Sequence, residues 1–186
     1  MATQYTCVGF LELGTIAHGI QVTDGLLKKA TIKILFAHPV SSGKYLICYY
    51  GEVEDVKSAL AAGREIGGPA VLDTFVLTAI HPQIIPAVMG TVQAEHLGAL
   101  GILETVTCAS CIVAADTALK MSKIRLVKIQ LARGIGGKAY FVIEGDVAEV
   151  NVAMAAAVRQ LQKQGAGIID QVVIPQAAPE LLSVFQ

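Results

Sequence analysis

Two copies of one pattern run through this chain, and that constrains its fold more than any other feature of the sequence. Gly9-Phe-Leu-Glu-Leu-Gly-Thr15 aligns with Gly101-Ile-Leu-Glu-Thr-Val-Thr107 at an offset of 92. The same offset pairs Ala17 with Ala109, Asp24 with Asp116, Leu27 with Leu119, Lys28 with Lys120 and Ile32 with Ile124. After a two-residue insertion the offset becomes 94, pairing Gly43-Lys44 with Gly137-Lys138, Gly51 with Gly145, Val53 with Val147, Val56 with Val150 and Ala59 with Ala153. An offset of 97 then pairs Asp73 with Asp170 and Pro82 with Pro179. Glycines, charges and apolar positions that stay collinear over this length mark a duplicated unit. The seam is expected near Thr91 to Ala99, giving a first domain over residues 1–95 and a second over 96–186.

Each copy reads the same way. Tyr5 to Leu13 and Ala99 to Thr105 are short apolar runs with one embedded Glu, as strands require. Thr15 and Thr107 stand where an N-cap hydroxyl would accept from free first-turn amides. The helices that follow, Ile16–Lys29 and Cys108–Met121, each carry an Asp-to-Lys pair four residues apart, Asp24/Lys28 and Asp116/Lys120. Two strands joined by a glycine loop come next: Ile32–Ala37 with Lys44–Tyr50, and Arg125–Leu131 with Lys138–Ile143. A turn leads into Val53–Ala62 in copy one and Val147–Gln164 in copy two, then a last strand (Ala70–Leu77; Ile168–Ile174) and a Pro-containing tail. The order β-α-β-β-α-β, present twice, predicts an α+β protein of two tandem ferredoxin-like domains.

Composition narrows the function. Lys and Arg total 14 against 15 Asp and Glu, so the surplus of cations that phosphate neutralisation needs is missing and nucleic acid is not an expected partner. Mean hydropathy is high at +0.60, yet the longest uncharged stretch, Thr74 to Ala94, is interrupted by His81, Pro82, Gln83 and Pro86, so no membrane span is expected. The N-terminus lacks a basic region followed by an apolar one, and the four cysteines therefore read as reduced thiols of a cytoplasmic protein. An apolar content of 54% with only 5% aromatics suggests a surface partly covered by partner subunits.

Sites of chemistry are scarce. Cys108 and Cys111 form a C-x-x-C, open to a metal or redox reading. In the repeat, however, they occupy the columns of Ile16, a core-type position, and Gly19, which favours packing. His18, His38, His81 and His96 are scattered. Gly134-Ile-Gly-Gly-Lys138 resembles part of a phosphate loop but joins two strands instead of opening a helix. Glu12 and Glu104 are duplicated, which fits a repeated structural contact better than asymmetric acid–base roles. No enzyme activity is expected. There remain two glycine-bearing loops, His38-Pro-Val-Ser-Ser-Gly-Lys44 and Ala132-Arg-Gly-Ile-Gly-Gly-Lys138. Three glycines within four residues exceed what a hairpin needs and suggest close backbone approach.

With the G-[FI]-L-E-[LT] opening strand, the S-S-G-K and G-I-G-G-K loops and the G-[ED]-V-x-x-V turn, all in doubled order, the sequence resembles a bacterial microcompartment shell protein. It is most similar to the tandem-domain class that assembles as trimers, the propanediol-utilisation trimer among them. The resemblance implies a flat pseudohexagonal homotrimer, tiled edge to edge with other shell proteins, whose glycine loops meet at a central pore. Carried over position by position, it implies a pore lining of Ser41, Ser42 and Gly43 with Gly134, Ile135, Gly136 and Gly137, and Arg133 at the rim favouring small polar or anionic solutes. Lys28 and Lys120 match the family's tile-edge lysine. Some trimeric relatives hold an iron–sulfur cluster on a cysteine of the copy-one loop. Ser41 stands there in this chain, and a hydroxyl is a hard, poor ligand for such a cluster, so no cofactor is expected.

Two other classes compete. A metabolite-sensing ferredoxin-like module would bind its ligand in a discrete pocket, and an electron-transfer shell protein would carry an axial iron–sulfur cluster.

Overall fold

A computed structural model describes residue 5, residues 7–91 and residues 98–185. The expected boundary between residues 95 and 96, and with it His96, lies outside the described residues. The chain packs as two units. One runs up to Ile80 and includes the loop Ala132–Gly137; the other holds His81–Leu131 and everything from Lys138 onward.

The first unit contains β1 (Cys7–Leu13), α1 (Ile16–Lys29), β2 (Ile32–Pro39), β3 (Tyr45–Gly51), α2 (Val53–Gly67) and β4 (Val71–Thr78). Its sheet is antiparallel in the order β2-β3-β1-β4. In the second unit, α3 (Ile84–Val88) precedes β5 (Ala99–Thr105), α4 (Cys108–Met121), β6 (Arg125–Leu131), β7 (Ala139–Gly145), α5 (Val147–Gln164), β8 (Ile168–Ile174) and α6 (Leu182–Phe185). Its sheet order, β6-β7-β5-β8, is the same one. Duplication extends to the irregularities. Register shifts fall between Glu12 and Leu13 and between Ile34 and Phe36 in copy one, and at the matching Glu104/Thr105 and Leu126/Lys128 in copy two.

β1 is central, so every residue of Cys-Val-Gly-Phe-Leu-Glu-Leu is buried. On its helix-covered face, Leu11 and Leu13 meet Val22 and Leu26 of α1 and Val56, Ala59 and Leu60 of α2. Each buried Val or Leu among them contributes roughly 1.5–3 kcal/mol by leaving water. On the other face Phe10 stacks on Phe75 at 5.2 Å between centroids, with Phe36 edge-on at 6.3 Å. Gly9 faces Tyr49 across the strand pair, and the Tyr49 ring lies over the place a Cβ would occupy. The Tyr49 hydroxyl donates to the Val56 carbonyl at 3.3 Å.

Several local expectations are corrected. α2 continues to Gly67 instead of stopping at Ala62. Gly63 and Gly67, beyond the expected end, are buried where the helix lies close to β1: a Cβ on Gly63 would sit 2.9 Å from the Leu11 and Leu26 side chains. The Pro-containing tail of copy one includes the short helix α3, whose Ile84 is fully buried. Thr107 caps α4 by accepting from the Ser110 amide at 3.3 Å. Thr15 makes no such cap; its hydroxyl lies 3.0 Å from His18 Nδ1. Ile16 is 42% exposed, so the column it shares with Cys108 is core in copy two only.

Candidate functional site: the paired glycine loops

Both loops are set by backbone geometry. Ser41–Gly43 is a single 3-10 turn between β2 and β3 in which Ser42 is left-handed (φ 59°) and Gly43 follows at φ 74°. Between β6 and β7, Gly134, Gly136 and Gly137 all have positive φ, at 77°, 66° and 83°. The glycine density therefore has two causes rather than one. Gly134 and Gly136 have open space where a Cβ would stand and are glycine for their conformation. Gly137 alone among the three is also crowded, since a Cβ there would run into the Ser42 hydroxyl and stand 3.3 Å from the Lys44 side chain.

That crowding reflects a junction. The Ser41 hydroxyl accepts from the Gly134 amide at 2.7 Å. Lys44 Nζ donates to the Gly137 carbonyl at 2.8 Å and to Glu12 Oε1 at 2.7 Å. Glu12 is wholly buried and the Lys44 side chain is only 16% exposed. An ion pair this dry needs further hydrogen bonds to offset desolvation, and the Gly137 carbonyl provides one. The sequence marks Glu12 as a repeated structural contact, and Lys44 is not among the site residues it suggests. The signal was the pairing of Lys44 with Lys138 alongside Glu12 with Glu104.

The remaining expected site residues are placed as follows. Ser42, Gly43, Arg133, Gly134 and Gly136 are exposed, whereas Ser41 and Ile135 are half-buried. In copy two, Lys138 lies 3.2 Å from Glu104, with side-chain exposures of 50% and 35%. Lys28 and Lys120, at the ends of α1 and α4, pair with Asp24 and Asp116 at 2.6 Å in both helices. Asp116 differs from Asp24 in being buried and in also accepting the His81 amide at 2.7 Å.

Cys7, Cys48, Cys108 and Cys111 are all buried free thiols. Burial pushes the Cys7 and Cys48 thiols up, away from the thiolate form that metal binding and redox chemistry require. Gly19, in the column of Cys111, is held small by the Tyr45 ring, in keeping with a packing role for that column. Among the described residues no three His, Cys, Asp or Glu side chains are grouped to hold a metal ion. No described helix is long and apolar enough to cross a membrane.

Two split β-α-β-β-α-β units with the same sheet order, each with a glycine-bearing loop between its second and third strands, define a tandem shell-domain architecture. The chain belongs to the BMC-domain family, whose pattern matches residues 7–80 and 99–177. It is 38% identical, over 91% of each chain, to the bacterial microcompartment shell protein PduT of Citrobacter freundii. Its fold superposes on the crystal structure of a microcompartment protein from Desulfitobacterium hafniense DCB with a TM-score of 0.82 at 40% identity, covering 94% of this chain and 97% of that one. A fused permuted hexameric shell protein from the RMM microcompartment shares the fold at a TM-score of 0.64 and 24% identity, over 84% of this chain and 81% of that one. The chain is thus a structural component of a microcompartment shell and not an enzyme.

Proposed function

We propose that three copies of this chain close into a pseudohexagonal tile, its domains at residues 1–95 and 96–186 alternating around a central pore. The observation that carries this reading is the unequal burial of α1 and α4. Three of fourteen α1 residues are buried, against eleven of fourteen in α4. Ile16, Ile20 and Leu27 are 42%, 58% and 52% exposed, while Cys108, Ile112 and Leu119 in the same columns are 0%, 2% and 6% exposed. α4 owes part of its cover to the tail of copy one: α3 packs along α4 and β6, His81 caps Asp116, and Gln83 accepts the Leu126 amide at 2.8 Å. α1 has the same apolar columns without that cover. The repeat supports a second copy of this chain as the partner that covers α1.

In such a tile the loops at 41–43 and 132–137 line the pore, and Arg133 draws small polar or anionic solutes toward its mouth. Lys28 and Lys120 then lie at the tile edge, against other shell proteins. An axial iron–sulfur cluster does not fit: the Ser41 hydroxyl is held as acceptor of the Gly134 amide, and it replaces the thiolate such a cluster needs.

Sedimentation tests the reading. The wild type should run at three times the chain mass, and Ile20→Asp should give a folded monomer, because Ile20 is exposed within the chain. A wild type that stays monomeric at high concentration would refute the tile.

A further inference from the structure

Only one of the two loop junctions that the repeat calls for is closed within a single chain. Lys44 and Glu12 form the closed one, covered by the copy-two loop through the Gly137 carbonyl. Their counterparts, Lys138 and Glu104, hold the same pairing at 3.2 Å but stand open, at 50% and 35% exposed against 16% and 0%. The counterpart of Gly137 is Gly43, whose turn leaves open space around it (nothing lies within 4 Å of a Cβ built there).

We infer that the Lys138–Glu104 pair is a socket for the Ser41–Gly43 turn of a second copy of this chain, with Lys138 Nζ donating to the partner's Gly43 carbonyl. This rests on the trimer proposed above and names the contact that closes it. The two junctions differ in strength. In the closed one, the Ser41 hydroxyl adds a bond from Gly134. In the open one, Ile135 takes the place of Ser41 and has no acceptor, while the Val40 amide, counterpart of the Gly134 amide, already donates to the Lys44 carbonyl at 2.9 Å. Lys138 therefore supplies the only side-chain hydrogen bond of the subunit loop junction, which makes it the weaker of the two. The pore ring opens between chains before it opens within one.

The contact predicts which residues can be joined. Ser41 meets Gly134 within the chain, so Ile135 should meet Val40 across chains. Oxidation of the double variant Val40→Cys, Ile135→Cys should yield covalent dimers and closed covalent trimers on a denaturing gel, the four native thiols being buried. Separately, Lys138→Met should raise the dissociation constant of the trimer about a thousandfold, roughly tenfold at each of three equivalent junctions, as loss of a hydrogen bond from a charged donor implies. Only monomers on the gel, or an unchanged dissociation constant for Lys138→Met, would overturn the socket while wild type still sediments as a trimer. An unaltered trimer with lost anion passage would likewise overturn it, assigning Lys138 to the solute. A monomeric wild type would instead remove the trimer itself.

Discussion

The Glu12 carboxylate at the end of β1 and the Lys44 ammonium ahead of β3 lie 2.7 Å apart, with the carboxylate entirely out of solvent. Breaking one side of such a pair leaves an uncompensated buried charge, and that loss exceeds what the intact pair adds. Lys44→Met should cost the fold about 3–5 kcal/mol in denaturant titrations, and adding Glu12→Leu should restore much of it. Equal destabilisation by single and double variants would contradict the pairing.

Gly9 and Gly101 begin the same motif but face different neighbours. A Cβ on Gly9 meets the rigid Tyr49 ring, whose hydroxyl is tied to Val56, whereas on Gly101 it meets Met154 Cγ and Sδ at 2.8 Å. Gly9→Ala should cost about 1–3 kcal/mol of stability as an overpacking change, and Gly101→Ala distinctly less, because Met154 can adopt another rotamer. Thermal unfolding of the two variants reads the difference.

At the tile edge the two lysines also differ. Lys28 and Asp24 are both well exposed, so Lys28→Ala should change stability by no more than about 0.5 kcal/mol while weakening sheet or tube formation in electron micrographs. Lys120→Ala should weaken assembly too, but at a further cost to the fold of about 1–3 kcal/mol, since it strips a buried Asp116 of its cation. Failure of the trimer in the Lys28 variant would move that lysine from the edge to the subunit interface.

His81 gives the fold a pH dependence. Burial holds its ring below the usual 6.5, with Lys120 acting in the same direction and Asp116 opposing. The folded state therefore prefers the neutral ring. The stabilisation is complete above the unfolded value and is lost as pH falls toward the native one, because the unfolded chain takes the proton first. Unfolding free energy should decline as pH falls below the ordinary histidine value of 6.5, and His81→Asn should flatten that part of the curve. A slope of the opposite sign would contradict the shift.

Where the sequence misled, the cause was a local signal with a tertiary purpose. The expected end of α2 at Ala62 precedes Gly63, yet the helix runs through Gly63 to Gly67 because close approach to β1 replaces what propensity withholds. Thr15 and Thr107 share a column, but only Thr107 caps its helix backbone; the Thr15 hydroxyl is engaged with His18. α3 escaped notice because five residues containing Pro86 show no periodicity; its existence rests on burial of Ile84 and Ile85.

The amino-acid order alone determined the duplication, the β-α-β-β-α-β order, the Asp-to-Lys helix pairs and the position of both glycine loops. All of these are written in short-range periodicity and in repetition, which need no knowledge of distant neighbours. Folding in three dimensions decided which of the two copies is covered. Lys44 reaches a carbonyl 93 residues away while Lys138 stays half exposed, and Ile112 is buried while Ile20 is not. Equivalent residues carry equivalent local patterns, so only the packing of remote segments against them can make them different.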